Sequence, residues 1–391
     1  MTDAVVPPPE VALGAPRWTG GLVSLWRVAL ALFALCLGVQ ALFGRLDGSW
    51  WPAPLPPAAL PAAVAWCGLA LALAAGIAAR PVTLPLALCV LLAGEPAIAG
   101  RGHGLLIGLL VLAGSMSGAP YGSWPARGRV DPGGGWTLPG GVRGLAWVGL
   151  GATWLYTAWS LAEAPGLGQG GAVAAIAAYL RGSVAQAAPW PVAVEVLIFG
   201  VAAAFVPLSL GARSRPMAWT AGVAVHALTL PAIGAPGFSV GVLLLHALAF
   251  DPRWVPAAGQ AVGVVYYDGA CGLCHNAIRF LLAEDSAGEL RFAALQGATF
   301  AARVPAHVDV PDSVIVQTDD GELLWKMAAA RHLLARLGGG WRVIGWLVRL
   351  VPLPVGDVVY DGIARVRHLL FARPKDSCPL LPPGLRARFL P

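Results

Sequence analysis

Long apolar segments dominate the first 255 residues and constrain the fold of this chain more than any other feature. A helix that crosses a bilayer needs about 20 mainly apolar residues. We place about eight such segments, at 21–43, 60–79, 82–99, 103–119, 142–163, 190–210, 216–232 and 236–250. A mean hydropathy of +0.70 and a charged fraction of 12% agree with this pattern, because soluble domains carry about twice that charge. The sequence therefore predicts an α-helical polytopic membrane bundle over residues 21–255, preceded by a polar N-terminal tail at 1–20.

The composition changes after the last apolar segment. Residues 262–391 carry ordinary charge and alternating or amphipathic patterns, which predict a soluble α/β domain. Strands are expected at 262–267, 290–294, 313–317 and 322–325, and helices at 276–283, 327–337, 341–351 and 357–371. The chain thus divides into a membrane part and a soluble part, and chemistry is expected in the second.

Arginines outside the apolar segments predict an orientation. Cytoplasmic loops carry an excess of basic residues. With eight spans, the inner side holds Arg17, Arg80, Arg127, Arg129, Arg143, Arg213, Arg215 and Arg253, and the outer side Arg45, Arg101 and Arg181. We therefore expect an integral protein of a bacterial-type inner (cell) membrane with its soluble domain in the cytoplasm. An odd number of spans would invert this orientation.

Residues 266–275, Tyr-Tyr-Asp-Gly-Ala-Cys-Gly-Leu-Cys-His, contain the main chemical signal. A strand-like run from Val262 to Tyr267 leads through an Asp-Gly turn to Cys271 and Cys274, which open a helical pattern. Strand, turn, Cys-x-x-Cys and helix in this order are typical of a thioredoxin-like redox site. The start of a helix favours a thiolate, which is the species that attacks disulfides. We therefore predict that Cys271 attacks a substrate disulfide and that Cys274 resolves the mixed disulfide.

Two other chemistries share this spacing. Cys271-Gly-Leu-Cys274-His275 also fits c-type haem attachment, but a strand leads into the motif, and a cytoplasmic domain does not suit haem attachment. A zinc site would need further ligands, and the chain holds no second Cys-x-x-Cys, so no metal site is predicted. Cys378 is either a third exchanging thiol or a passive cysteine.

Three residues near the pair receive supporting roles. Asp268 either relays protons near Cys271 or makes the Asp-Gly turn. His275 is either a positive neighbour that stabilises a thiolate or an exposed helix residue. Pro311 precedes a predicted strand, where thioredoxin-like folds place a cis-proline opposite the cysteines, so we expect it to shape the substrate groove. Its alternative role is that of an ordinary strand-initiating proline.

Ionisable side chains also occur within the apolar segments. Glu195, His226 and His246 lie inside predicted spans, where such groups are costly and usually face the bundle interior or a cavity. They predict either a binding site for a small molecule or structural hydrogen bonds. A quinone-like lipophilic carrier is the candidate ligand, and no other cofactor is implied.

Several short motifs occur along the C-terminal part. They are Asp268-x-x-Cys271-x-x-Cys274, Pro311-Asp-Ser-Val-Ile-Val, Asp320-Gly321, Pro352, Tyr360-Asp-Gly-Ile-Ala-Arg365 and Cys378-Pro379. Together, over roughly residues 262–382, they resemble the DCC family of thiol–disulfide oxidoreductase-like proteins. The resemblance implies a thioredoxin-like fold for residues 262–391 and disulfide exchange as the activity.

Other motifs lie in the apolar part. They are Ser24-Leu-Trp-Arg27, Arg101-Gly-His-Gly104, Ser123-Trp124, Trp154-Leu-Tyr156, Glu195, His226 and Phe238-Ser239. Over about residues 20–255 they resemble the HTTM-type domain related to vitamin K-dependent γ-carboxylase. The resemblance implies a lysine base near residues 156–163, but no lysine precedes Lys326. Carboxylation by that mechanism is therefore disfavoured, whereas a pocket for an apolar ligand is compatible with the sequence.

These observations favour a membrane-tethered thiol–disulfide oxidoreductase that is coupled to a lipophilic electron carrier. Its expected partners are the lipid bilayer and a protein or small-molecule thiol or disulfide. Nucleic acid is excluded as a partner because no aromatic-interleaved basic patch occurs. The alternatives are a carboxylase-like membrane enzyme with another base, such as Glu163, and a lipid- or partner-binding membrane module with a non-catalytic DCC domain.

Overall fold

The structure is a computed structural model of the 391-residue chain. It describes residues 16–43, 59–77, 79–93, 104–163, 192–233, 236–259, 262–308, 310–311, 313–370 and 382–391. Cys378, considered above as a third exchanging thiol or a passive cysteine, lies outside these ranges.

The described residues of the N-terminal region form eight helices, and each coincides with one predicted apolar segment. They are α1 (Gly20–Phe43), α2 (Leu60–Ala74), α3 (Ala79–Ala93), α4 (Gly104–Ser115), α5 (Gly140–Glu163), α6 (Val192–Leu210), α7 (Arg215–Ile233) and α8 (Pro236–Ala249). Consecutive helices pack against one another, and α1 also packs against α8. The region is therefore mostly helical, as the apolar pattern predicts.

Only part of this region meets the criteria for a membrane span. Among the described residues, Gly20–Leu42 and Val192–Leu210 are long and apolar enough to cross a bilayer. The bent helix pair Gly339–Arg349 and Leu353–Val366 would add a third span if it counted as one. Helices are thus present at the eight predicted segments, and two of them qualify as spans by length and composition; the other six spans stay a prediction.

The helices direct different side chains inward and outward. Trp66, Trp154 and Phe205 are among the largest fully buried side chains. Many apolar side chains lie exposed on the outer surface, among them Leu84, Leu92, Val148, Trp159, Leu210 and Leu228. An apolar exterior of this extent is unusual for a soluble protein and is the surface that a bilayer would cover.

The C-terminal region is a mixed α/β domain. Its strands are β1 (Val262–Tyr267), β2 (Phe292–Ala294), β3 (Ile315–Thr318), β4 (Leu323–Trp325) and β5 (Phe389–Leu390). Its helices are α9 (Gly272–Glu284), α10 (Ala298–Arg303), α11 (Lys326–Leu337), α12 (Gly339–Arg349), α13 (Leu353–Leu370) and α14 (Pro383–Arg386). The predicted elements from 262 to 371 are present with shifts of a few residues at their ends, and α10, α14 and β5 are additions.

One sheet organises this domain, with the strand order β4-β3-β1-β2-β5. Strand β1 runs parallel to β2 and antiparallel to β3, and β3 runs antiparallel to β4. Because side chains alternate along a strand, Val265 faces a core that contains the two cysteines, whereas Val264 and Tyr266 face a second core. The unit β1–α9–β2 is a βαβ crossover that places the start of α9 at the end of β1.

A buried carboxylate joins the two regions. Glu284, the last residue of α9, accepts hydrogen bonds from the Thr19 hydroxyl and, at 2.8 Å, from the Gly21 backbone N–H at the start of α1. Trp341 Nε1 donates to the same carboxylate at 2.7 Å. A carboxylate at a helix N-terminus satisfies otherwise unpaired N–H groups and interacts favourably with the helix dipole. The α/β domain is therefore attached where the first candidate span begins.

Candidate redox site

The two cysteines lie at the start of α9, directly after β1. Cys271 is the N-cap residue, and its Sγ accepts a hydrogen bond from the backbone N–H of Cys274 at 3.5 Å. Its backbone carbonyl accepts the helical bond from His275 N–H at 3.0 Å. A sulfur in this position takes the place of the oxygen of a capping side chain, and the helix N-terminus stabilises negative charge on it. The geometry suits a reactive thiolate at Cys271.

Both sulfur-bearing side chains are buried. Cys271 is 2% exposed and Cys274 is 3% exposed, and both belong to the apolar core that includes Tyr267, Ile278 and Phe292. No disulfide joins the pair. A bulky folded substrate therefore cannot reach either sulfur in this conformation.

A cavity of about 320 Å³ lies beside this pair, between α9, α11 and α13. Cys274 forms part of its wall, together with Leu273, Phe280, Ala330, Tyr360 and Ile363. Apart from the cysteine, the polar side chains among the described lining residues are Lys326 and Tyr360. The cavity therefore offers Cys274 an almost wholly apolar surrounding of the size of a small-molecule site.

Asp268 organises the turn that presents Cys271. Its Oδ1 accepts hydrogen bonds from the Ala270 backbone N–H at 2.9 Å and from Gln296 Nε2 at 3.0 Å, and its carbonyl accepts from Cys271 N–H at 3.2 Å. The first of these bonds is the local Asx pattern that makes aspartate a turn-forming residue. Of the two roles considered for Asp268, these contacts support the turn-making one, while a role in proton transfer stays a prediction.

His275 is half-buried behind the pair, with its ring edge towards Tyr267 at a centroid distance of 6.4 Å. Burial and, to a lesser extent, the nearby Arg279 cation lower the pKa of His275 below its ordinary value. This direction disfavours the charged imidazole, and a thiolate-stabilising role for His275 stays a prediction. Its Nδ1 is buried and has no hydrogen-bond partner among the described residues.

Pro311 differs from the expectation in one respect. The described residues contain no cis peptide bond, so Pro311 does not have the cis geometry that was expected opposite the cysteines. Its carbonyl accepts from Ser313 N–H at 2.8 Å, ahead of β3, as suits a strand-initiating proline. Val314, rather than Pro311, lines the cavity beside Cys274. A role for Pro311 in the substrate groove stays a prediction.

The predicted bundle site is brought together in part. The rings of His226 and His246 lie 5.7 Å apart between centroids, and Trp154 lies 4.9 Å from His226. Glu195 is fully buried in the first turn of α6. No group of three or more potential metal ligands occurs within the described part of the chain. The two histidines thus form an aromatic-lined pair inside the helical region.

Sequence reasoning missed three residues that matter to this site. Lys326 and Tyr360 line the cavity, and Glu284 fastens α9 to α1. Glu284 was detectable in principle, because it continues the apolar stripe of Ile278 and Leu281, where a charged residue needs partners. Lys326 and Tyr360 reach the cavity only through the packing of α11 and α13 against α9, for which the sequence contains no local signal.

Comparisons with known proteins point to the same chemistry as this geometry. A family profile described as DCC1-like thiol-disulfide oxidoreductase matches residues 265–373. The uncharacterized protein YuxK of Bacillus subtilis is 35% identical over 33% of this chain and 93% of its own length. The chloroplastic DCC family protein At1g52590 of Arabidopsis thaliana is 28% identical over 30% of this chain and 69% of its own. No solved structure matches.

A domain with a βαβ-mounted Cys-x-x-Cys pair is of the thiol–disulfide oxidoreductase type, and the matches define the group more closely. Through its C-terminal domain, the chain belongs to the family of DCC1-like thiol-disulfide oxidoreductases. The predicted resemblance of that part to the DCC family is thus confirmed. The resemblance of the helical part to the HTTM-type domain is not shown by these matches and stays a prediction.

Proposed function

We propose that the protein is a membrane-tethered thiol–disulfide oxidoreductase whose reaction occurs at Cys271 and Cys274. The observation that carries the proposal is the N-cap position of Cys271, where its Sγ accepts the Cys274 N–H. The strand order β4-β3-β1-β2, with β3 antiparallel to its neighbours, supports a thioredoxin-like domain. Family membership supports redox chemistry, although the relative YuxK is itself uncharacterized.

The reaction proceeds by two thiol–disulfide exchanges. The Cys271 thiolate attacks one sulfur of a substrate disulfide, a mixed disulfide forms, and the other substrate sulfur leaves as a thiolate that takes up a proton. Cys274, once deprotonated, attacks Sγ of Cys271, which releases the second substrate thiol and leaves a Cys271–Cys274 disulfide. Asp268 holds the turn, and the proton that Cys274 loses passes to the departing substrate thiolate.

The membrane tether is supported by the apolar outer surface and by helix α1. The starts of α1 and α5 and the end of α8 lie together, since Trp18 Nε1 donates to the Phe250 carbonyl at 2.8 Å and Arg143 lies 3.5 Å from Asp251. If every helix spans, four crossings separate the start of α1 from the start of α5, and four more separate that point from the end of α8. All three points then lie on the same side of the membrane. Arg253 joins the same group, so the basic residues gather on the side of the α/β domain. This arrangement supports the cytoplasmic placement that we propose for it.

The histidine pair favours a second function in the helical region. His226, His246 and Trp154 form a buried cluster, and this cluster is suited to bind a small polar group of a lipid or ligand. Glu163, the alternative carboxylase base, is exposed at the end of α5, which does not favour a buried catalytic base there. Loss of ligand binding in His246→Ala with unchanged thiol chemistry would establish this second site.

The test of the proposed function uses the full chain in lipid nanodiscs. We expect Cys271→Ser to abolish disulfide reductase activity and Cys274→Ser to accumulate a mixed disulfide, because the resolving thiol is missing. Cys89→Ser in α3 is the matched control and should retain activity. Full activity in Cys271→Ser would contradict the proposed mechanism.

A further inference from the structure

The cavity beside Cys274 and the surface of α12 and α13 form one continuous apolar feature. Ile363 lines the cavity and is 49% exposed, and the exposed Val355 and Val359 precede it at four-residue spacing on the same side of α13. Neighbouring side chains on that surface are exposed as well, namely Leu347, Leu350, Val355, Val358 and Val359. The cavity wall and this outer face therefore share a residue, and an apolar molecule on the face is adjacent to the cavity.

This apolar face belongs to a helix pair with an unusual shape. Helices α12 and α13 bend by 109° at the break around Pro352. Arg349 and Arg365 lie exposed on the two helices. An amphipathic element with an apolar face and flanking arginines binds the interfacial layer of a bilayer, where arginines pair with anionic headgroups. The chemistry of the face thus fits a lipid surface.

The start of α12 adjoins the start of the first candidate span. Trp341 at the start of α12 donates to Glu284, and Glu284 accepts from Gly21 at the start of α1. Gly340 lies against Leu22, where an added Cβ would come within 2.9 Å of the leucine side chain. Because α1 is the candidate span that enters a membrane here, the adjoining α12–α13 face meets the same lipid layer.

The polar groups at the cavity are few and suited to hold carbonyl oxygens. Lys326 Nζ contacts both carboxylate oxygens of Asp361, at 2.8 and 2.9 Å, and has three N–H groups. Lys326 is also the one non-glycine residue with a positive φ, 49°, among the described residues. Backbone strain of this kind concentrates at functional sites. The cavity therefore combines an apolar body, a hydrogen-bond donor and a redox-type cysteine.

From this juxtaposition we propose that the cavity is the binding site of a lipid quinone, which enters from the bilayer across the α12–α13 face and oxidises the cysteine pair. The inference rests on the proposed function and assigns its electron acceptor and its site. In this cycle the exchanges described above run in reverse: a substrate dithiol reduces the Cys271–Cys274 disulfide and becomes a disulfide itself. The two thiols of the reduced pair then lose two protons and two electrons to the quinone, the Cys271–Cys274 bond forms again, and the quinone becomes a hydroquinone. Protein dithiols are known to pass electrons to quinones in this way. The site differs from the histidine pair, for which the sequence predicted a quinone-like ligand.

The test fills the cavity without touching the cysteines. Ala330 of α11 and Ala364 of α13 line the cavity from different helices, whereas Ala328 of α11 does not. The full chain carrying Ala330→Phe, Ala364→Phe or the control Ala328→Phe is placed in vesicles of phosphatidylcholine and phosphatidylglycerol. Its reduced pair is then exposed to decyl-ubiquinone, whose fully substituted ring limits arylation of thiols. Alkylation and mass spectrometry follow the thiol state, and glutathione buffers measure the couple independently.

We expect both cavity-filling variants to slow oxidation by the quinone about tenfold or more, because a phenyl ring takes the ligand's place. The redox couple of Cys271 and Cys274 that these variants show in glutathione buffers should match that of the native protein, and Ala328→Phe should match the native protein in both measurements.

Equal oxidation rates in all variants would overturn the cavity assignment. A native pair that titrates in glutathione yet is not oxidised by the quinone would overturn the quinone as acceptor while the proposed function stands, whereas a pair that never titrates would remove both. Ala364→Phe serves if Ala330→Phe does not fold.

A further variant tests delivery from the bilayer. Val358→Glu adds a charge to the exposed α12–α13 face, away from the cavity lining. We expect it to slow oxidation by vesicle-dissolved decyl-ubiquinone and to leave oxidation by the short-chain, water-soluble analogue unchanged. If native protein and Val358→Glu are oxidised at the same rate by decyl-ubiquinone, as they are by the water-soluble analogue, the membrane route is overturned.

Discussion

The helical region and the α/β domain place polar and apolar side chains in opposite ways. The helices expose leucine and valine outward and bury Glu195, His226 and His246. The α/β domain buries its apolar side chains around one sheet and keeps most of its charges outside. The first arrangement suits a hydrocarbon surrounding and the second suits water. Burial therefore has a different meaning for function in each region.

Helices α12 and α13 interrupt this contrast. They belong to the α/β domain in sequence and packing, yet their outer face is apolar like that of the N-terminal helices. They also adjoin the start of α1. An apolar outer surface thus continues from the helical region onto the α/β domain, close to the cavity at Cys274, and the proposed quinone site makes use of this arrangement.

The largest expected effect is on the free energy of unfolding, where a substitution in the core of the α/β domain should differ most from one on its apolar outer face. Phe292 is fully buried in β2, 5.3 Å between ring centroids from Phe389. Phe292→Ala should lower the free energy of unfolding by about 3–5 kcal/mol, because it removes a buried ring and leaves a cavity. Leu350→Ala, at a side chain that is 79% exposed, should change it by less than about 0.5 kcal/mol. Denaturant titration of the micelle-bound protein gives both values, and equal losses would mean that the outer face is packed.

The next effect concerns the junction between the regions. Glu284→Ala leaves the buried Gly21 N–H and Trp341 Nε1 without their acceptor and should cost about 1–3 kcal/mol. Glu289, which is paired with Arg336 on the surface, offers a matched control. Glu289→Ala should cost about 0–1 kcal/mol. A loss for Glu284→Ala no larger than for Glu289→Ala would show that the junction contributes little.

The same junction predicts a pH dependence. Burial raises the pKa of Glu284 above its ordinary value, although the hydrogen bonds from Thr19, Trp341 and Gly21 act in the opposite direction. The folded state then binds more protons than the unfolded state between pH 4.5 and the raised pKa, so stability decreases as pH rises through that window. Glu284→Gln, which cannot ionise, should lack this decrease. Unfolding curves collected across the window distinguish the two proteins.

The smallest effect is expected at His275. Its lowered pKa means that the unfolded state binds more protons near pH 6.5, so stability should decrease slightly as pH falls below that value. His275→Gln should remove this slope and leave the rate of Cys271 alkylation at pH 7 nearly unchanged, since the lowered pKa disfavours a charged ring there. A marked fall in that rate would instead show that a charged imidazole activates the thiol.

Local chemistry explains how much of this molecule could be predicted. The Asp268 turn and the position of the cysteines at the opening of a helix follow from residues close in sequence, and the sequence predicts them, although α9 begins at Gly272 and the helix was predicted from 276. The apolar segments likewise predict the eight helices that the described N-terminal residues form. Each of these features depends on neighbours in sequence.

Long-range packing explains what could not be predicted. The cavity needs Tyr360 and Ala330 to meet Cys274 across three helices, and the junction needs Glu284 to reach Gly21. Pro311 was assigned by analogy with a fold, and its trans peptide bond departs from that analogy. Side-chain partners far apart in sequence are set by how helices pack against the sheet, and no motif encodes that packing.

A redox titration of Cys271 and Cys274 in the full chain tests the central claim most directly. The protein in nanodiscs is equilibrated with glutathione buffers of defined potential, alkylated and analysed by mass spectrometry. The account predicts a reversible two-electron couple in which both cysteines change state together, with Cys271 alkylated faster in the reduced form. Two thiols that stay reduced in every buffer would contradict it.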